Sequence, residues 1–231
     1  MSETHDSPSA MSDTAAARLA ALRNDYVSAQ LRGDRRRALQ LVLSALQTGR
    51  GVHDVQQHVI AEAQREVGRL WEQNSISVAE EHMATAISQM ALAHLYDHAD
   101  RAPDIGKRIW VACVEGELHD FPARLVADTL DLAGFDVKYL GANVPTAGLL
   151  SMLARERPDL LALSATMSFN LTALRAAVSA VRAVHPRLPI AIGGGACTPA
   201  LGAAEGLAEI CVRDATALVA AARSVLGVGV S

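Results

Sequence analysis

Apolar residues recur at spacings of three and four from Thr14 to about Ala99; beyond Gly106 short apolar runs alternate with helical stretches. The first pattern predicts a helix over 14–31, with Leu19, Leu22, Tyr26 and Val27 on one face. Gly33-Asp34 breaks it, and Asp34 is placed to cap a second helix that carries Leu39, Leu41, Val42, Ala45 and Leu46 and stops at Gly49-Arg-Gly51. A third helix spans about 52–72 through Val55, Val59, Ala63, Val67, Leu70 and Trp71. Ser77-Val-Ala-Glu80 has the spacing of a reciprocal capping box and opens a fourth helix over about 78–98. Short connections between these helices predict a four-helix bundle.

Residues 101–106, with Pro103 and Gly106, are expected to form a linker. The strands expected after it are Arg108–Val114, Asp136–Leu140, Leu160–Ser164, Ile190–Ile192 and Glu209–Val212. Helices should follow near Ala123–Ala133, Thr146–Arg155, Leu171–Val184, Pro199–Ala204 and Ala215–Leu226. Repeated strand–helix units imply a parallel sheet covered on both faces by right-handed crossovers. Five such units fit the flavodoxin-like (Rossmann-type) α/β fold with strand order 2-1-3-4-5. The division is therefore a disordered tail over 1–13, a helical cap over 14–100, the linker, and a sheet domain over 107–231.

Composition narrows the function classes. The chain is 50% hydrophobic but 3% aromatic, so its core must be built from Ala, Leu, Val and Ile, which suits helices and buried parallel strands. A net charge of −4 supplies no basic surplus for phosphates, and no direct nucleic-acid binding is expected. The run Arg32-Gly-Asp-Arg-Arg-Arg37 contains an Asp and reads as a solvated helix start. Cys113, Cys197 and Cys211 share no C-x-x-C spacing and read as buried thiols of a reducing compartment. No apolar run reaches the roughly 18 residues of a membrane span, and the polar N-terminus is unlike a signal peptide. A cytoplasmic location is expected.

Candidate chemistry gathers where the first, third and fourth strands end. Ligands of open parallel sheets bind beyond the carboxyl ends of the strands, at the switch point. The first strand runs into Glu117-Leu-His-Asp-Phe-Pro122, a carboxylate and an imidazole two residues apart. A neutral imidazole is a metal ligand that a nearby carboxylate can orient, although a solvated loop with an incidental His has the same residues. The third strand ends in Ser164-Ala-Thr166, and the fourth in Gly193-Gly-Gly195, where absent side chains admit a ligand against the backbone or form only a tight turn. Neither a phosphate loop nor the dinucleotide fingerprint G-x-G-x-x-G is present.

Taken in order, these stretches resemble the cobalamin-binding domain of B12-dependent mutases, methionine synthase and corrinoid proteins. That family carries D-x-H-x-x-G after the first strand, S-x-L/T at the third and Gly-Gly at the fourth. Gly134-Phe-Asp-Val-Lys-Tyr-Leu-Gly-Ala-Asn-Val-Pro145 adds a match to its GF-x-V…LG-x-x-VP stretch. The resemblance covers about Lys107 to the C-terminus. It implies His119 as the lower axial cobalt ligand and Glu117 as its hydrogen-bonding partner. Asp120, Phe121 and Thr166 would contact the cofactor, and Ser164, Gly193, Gly194 and Gly195 would line the channel for the nucleotide tail. Two positions depart from the pattern: Glu117 stands where the family has Asp, and Pro122 stands where it has Gly.

The helical half resembles a particular branch. Trp71 is followed after nine residues by Glu81-His82, similar to the W-x9-EH motif of cobalamin-dependent photoreceptor regulators. There a four-helix cap covers the upper face of adenosylcobalamin, which implies that Trp71, Glu81 and His82 meet the adenosyl group. Those regulators place a second His after the Trp; this chain has Glu72, so their light-state bis-imidazole adduct is not implied. Their helix-turn-helix domain is not expected either. Output would pass through a homo-oligomer or a separate signalling partner. Photocobilins, which resemble this module, bind a bilin such as biliverdin beside cobalamin, and His53, His58, His94 and His98 are the imidazoles available for one. The expected function is thus light sensing by a binding module, not catalysis. The alternatives are a corrinoid carrier of a methyltransferase system, whose cap usually has a Leu/Met-rich sequence at this motif, and a flavodoxin-like domain for another ligand.

Overall fold

The computed structural model describes residues 8–198, 206–212 and 214–229. The chain folds as two compact units, 1–99 and 100–231.

The first unit is helical: α1 (Pro8–Leu31), α2 (Arg35–Gln47), α3 (Val52–Val55), α4 (Glu62–Glu72) and α5 (Val78–Tyr96). α1 begins six residues before the expected start, so residues 8–13 are helical rather than disordered tail; residues 1–7 lie outside the described residues. Both predicted caps form. Asp34 Oδ1 accepts from Arg37 N at 3.0 Å, and Ser77 and Glu80 complete the reciprocal box, Ser77 N donating to Glu80 Oε2 at 2.7 Å. The expected third helix is not continuous. Residues Gln56–Ala61 form a π-helical turn between α3 and α4 and bury Gln56 and Gln57. A π turn inserts a residue into the α repeat, so it carries polar positions inward that an uninterrupted period would leave outside. Tyr26, Val42, Val59, Ile60, Val67, Ile87, Leu92 and Leu95 are among the buried side chains.

The second unit contains β1 (Arg108–Cys113), β2 (Asp136–Gly141), β3 (Leu160–Ser164), β4 (Ile190–Gly193) and β5 (Ile210–Cys211) in one parallel sheet ordered β2-β1-β3-β4-β5. Strand alternation sends Trp110, Ala112 and Val114 to one face and Ile109, Val111 and Cys113 to the other. α7 (Thr146–Arg155) and α8 (Leu171–Val184) cover the first face, with Leu149, Leu153, Leu174 and Val181. α6 (Phe121–Leu132) and α9 (Ala215–Val225) cover the second, with Ala127, Leu130, Leu218 and Ala222. This is the α/β fold read from the sequence. The helix expected at 199–204 lies outside the described residues.

Residues 101–105 do more than link. Ala102 N donates to Leu132 O and Ile105 N to Gly134 O, both at 2.8 Å, docking the segment on the α6–β2 turn. Gly134 (φ 96°) permits this, since a Cβ there would lie 2.2 Å from Pro103 O. Cys113 and Cys197 are buried and Cys211 is half-buried. Among the described residues no helix is long and apolar enough to cross a membrane.

Candidate functional site

The sheet brings the ends of β1, β2 and β3 together at its carboxyl edge. Val144 N donates to Cys113 O at 3.1 Å, and Val114 N donates to Ser164 O at 3.1 Å, so the loops leave the sheet side by side. Gly116 (φ 84°) turns the chain after β1, and Glu117 N closes that turn on Val114 O at 2.9 Å.

Glu117 is 0% exposed, and its carboxylate organises the site. Oε1 accepts from His119 N at 2.9 Å and stands 2.8 Å from His119 Nδ1. Oε2 accepts from Thr166 N at 2.7 Å, Met167 N at 3.0 Å and Asn170 Nδ2 at 2.9 Å. Burial alone pushes this carboxyl up, but the bonds from His119, Met167 and Asn170 outweigh it and pull the pKa down to about 2. The group is therefore ionised at neutral pH and can only accept. A hydrogen bond between them therefore has His119 Nδ1 as its donor, which in the neutral ring leaves Nε2 as the ligating nitrogen. The His119 side chain is 33% exposed, so the imidazole lies at the surface while its orienting carboxylate lies beneath it.

The other predicted residues fall around this pair. Thr166 Oγ1 donates to His119 O at 3.5 Å. Ser164 Oγ is buried at the end of β3 and has no hydrogen-bond partner among the described residues, a donor and acceptor left unsatisfied by the protein. Gly194 (φ 95°) passes so close to β3's end that a Cβ would lie 2.4 Å from Ala165 O; at Gly195 a Cβ would lie 3.1 Å from Thr166 O. Gly193 ends β4 and pairs with Ser164. Asp120 Oδ2 accepts from Tyr139 Oη at 3.1 Å, and Phe121 is buried as the first residue of α6. Pro122 stands in that helix's first turn, where no intrahelical N–H is needed.

Sequence reasoning missed four residues here. Asn143 Oδ1 accepts from Gly116 N at 2.8 Å and Asn143 N donates to Glu117 O at 2.9 Å, tying the β2 loop to the His119 loop. Asn170 is buried below Glu117. Leu118 and Phe169, each 70% exposed, stand next in sequence to Glu117 and Asn170. The signal for the last two was available: large apolar residues in loops at a sheet's carboxyl edge.

In the helical unit, Trp71 is half-buried in the last turn of α4, and Asn74 N closes the following turn on Trp71 O at 2.9 Å. Glu81 lies in the first turn of α5 and His82 follows it, with Glu81 Oε2 2.6 Å from His82 Nδ1. The His82 side chain is 70% exposed and that of Glu81 13%. Glu72 is exposed, as are His53, His58, His94 and His98.

A test of fit follows from the donor set. Among the described residues no group of three or more His, Cys, Asp or Glu is arranged to hold a metal ion. The sheet unit instead offers one oriented imidazole, exposed apolar side chains on the segments after β1 and β3, and a glycine-lined wall. That is a poor cage for a bare ion and a good seat for a metal already held by a macrocycle, which needs an axial ligand and a broad apolar face.

Comparison with known proteins agrees. Residues 107–223 match the B12 binding domain family model, and residues 22–96 match a second model of the same description. The chain is 33% identical over 136 residues to the HTH-type transcriptional repressor CarA of Myxococcus xanthus, covering 58% of this chain and 44% of the repressor. It is 27% identical over 195 residues to dimethylamine corrinoid protein 1 of Methanosarcina acetivorans, covering 80% of this chain and 90% of that protein. The chain thus spans about half the length of the repressors it matches. The monomethylamine corrinoid protein of Methanosarcina barkeri shares its fold, with a TM-score of 0.78 at 19% identity over 88% of this chain and 98% of that one. With the Glu117–His119 pair, the glycine wall and a family match over more than half its length, this chain belongs to the B12-binding domain family.

Proposed function

We propose that this protein is a cytoplasmic light sensor that binds adenosylcobalamin, whose cobalt His119 would ligate. When bound, that cofactor supplies a Co–C bond that light cleaves. Glu117 holds His119 in the tautomer that presents Nε2, and Leu118 and Phe169 offer apolar surface beside it. Ser164, Thr166 and the glycines receive the nucleotide tail. Trp71, Glu81 and His82 would contact the adenosyl group, and the signal would pass through an oligomer or a contact with a signalling partner. Switching of this kind requires the adenosyl group to favour one arrangement of the protein over the other.

The observation that carries the sensor reading is the Glu81–His82 pair, opening α5 directly after the turn that closes on the half-buried Trp71. A half-buried aromatic at that point is available to a ligand in a way that a core tryptophan is not. The test is reconstitution with adenosylcobalamin in darkness followed by illumination. The expected result is a changed spectrum and a changed hydrodynamic size; a spectrum and size indifferent to light would overturn the reading. The same spectra reveal a bilin as an absorption band that cobalamin does not explain.

A second reading, a corrinoid carrier serving methyltransferases, is favoured by the alignment over 90% of dimethylamine corrinoid protein 1. It predicts bound methylcobalamin that turns over with a partner enzyme in the dark.

A further inference from the structure

The helical unit contains a chain of buried and half-buried polar side chains that ends on Glu81. Thr85 Oγ1 donates its single proton to Glu81 Oε1 at 2.8 Å, so it must accept from Gln64 Nε2 at 2.7 Å. This fixes the Gln64 amide with its oxygen inward, where it accepts from Ser88 Oγ at 3.0 Å and from Gln30 Nε2 at 2.8 Å. Ser88 has then used its only proton. Tyr26 Oη, 3.3 Å from Ser88 Oγ, is therefore the donor of that pair. Burial pushes the Tyr26 phenol pKa up, with the Ser88 bond opposing, which keeps the proton that Tyr26 donates.

The donors thus run one way, Tyr26 to Ser88 to Gln64 to Thr85 to Glu81, across α1, α4 and α5. Each bond polarises the next, and the last falls on a charged acceptor. Gln30 clamps the middle, its Nε2 reaching Gln64 Oε1, Ala84 O at 2.9 Å and Ser88 Oγ at 2.9 Å. Rotating its amide would turn an oxygen toward those acceptors, so it stays as it is although Oε1 has no partner among the described residues. Tyr26, Gln30 and Ser88 are each 0% exposed. Apolar side chains would pack the same interior without an orphaned carbonyl, so stability alone does not account for this network. What the network does determine is the placement of one carboxylate. Glu81 has Oε1 held by Thr85 and Oε2 by His82, at the outer end of this path.

We propose that Thr85, Gln64 and Ser88 are positioning residues that set Glu81 to accept hydrogen bonds from a hydroxyl-bearing upper ligand of the cobalamin, and so determine which cobalamin the protein prefers. The inference rests on the reading above that Glu81 meets the adenosyl group. An adenosyl group brings ribose hydroxyls to such an acceptor; a methyl group brings none.

The test is titration in darkness of the full chain with adenosylcobalamin and with methylcobalamin, read by absorbance, for wild type, Thr85→Val, Thr85→Ser and Ser88→Ala. Wild type should prefer adenosylcobalamin. Thr85→Val should lower that preference by about tenfold while leaving methylcobalamin affinity unchanged, as expected for loss of one charge-assisted bond. Thr85→Ser, which keeps the hydroxyl, should restore it. Ser88→Ala, two links away, should lower it by about threefold. If Thr85→Val loses both ligands through misfolding, Ser88→Ala decides: a lowered preference supports the proposal and a wild-type preference overturns it. Equal preference in folded Thr85→Val and wild type overturns the proposal but leaves the adenosylcobalamin reading standing. A wild type that does not distinguish the two cobalamins overturns both.

Discussion

Asn170 Nδ2 lies 2.9 Å from Glu117 Oε2, fastening the loop after β3 beneath the loop after β1. The carboxylate is 0% exposed and ionised, so each donor around it offsets part of its desolvation. Asn170→Ala should destabilise the ligand-free protein by about 2 kcal/mol, the scale of a bond to a buried charge. Asn170→Asp should cost more, because it sets a second carboxylate against the first. Urea unfolding measures both; a loss below about 0.5 kcal/mol for Asn170→Ala would show that Thr166, Met167 and His119 suffice.

The glycines after β4 should separate fold from binding. Gly194→Ala places a Cβ 2.4 Å from Ala165 O at φ 95°, a backbone clash with no flexible partner to yield. It should destabilise the ligand-free protein by about 3 kcal/mol or leave it unfolded. Gly195→Ala meets Thr166 O at 3.1 Å without a positive φ and should change stability by less than about 1 kcal/mol while weakening cobalamin binding. Melting curves beside cobalamin titrations distinguish the two; equal destabilisation by both substitutions contradicts the assignment.

Pro122 occupies the first turn of α6 with no N–H to lose. Pro122→Gly should lower stability by about 1 kcal/mol, since it frees the unfolded chain and weakens the helix start. An unchanged or higher denaturation midpoint would show that the ring strains this turn.

Glu209 gives the protein an acid-sensitive contribution. Burial raises its carboxyl pKa, but the Ile190 N–H at 2.7 Å and Arg182 pull the net value below the ordinary range. A folded pKa below the unfolded one stabilises above the unfolded value, about 4.3, and that contribution fades as pH falls through the folded value. Wild type should therefore be more stable than Glu209→Gln at neutral pH, and the difference should shrink below about pH 4. A difference independent of pH between 7 and 3 would assign the effect to packing around Arg182 instead.

Much of this molecule is legible in the order of its residues. Alternating apolar runs mark the strands and their order because buried parallel strands and amphipathic helices impose different periods. The Ser77–Glu80 box and the Asp34 cap are readable because their partners lie three residues apart. The turn carrying His119 is readable because its acid, its imidazole and the end of β1 lie in one short stretch of sequence.

The contacts that make His119 a ligand are not readable in this way. Glu117 takes donors from Thr166, Met167 and Asn170 on another loop, and no periodicity announces a hydrogen bond between loops that meet only when the sheet forms. The same holds for the π turn at Gln56–Ala61, the docking of residues 101–105, and the path from Tyr26 to Glu81 across three helices. Sequence alone determined most of the strands, helices and caps, because those preferences are local, but not the π turn or the start of α1. Tertiary structure alone decided that Glu117 is buried and ionised and which nitrogen of His119 is presented, because both depend on groups that folding brings together.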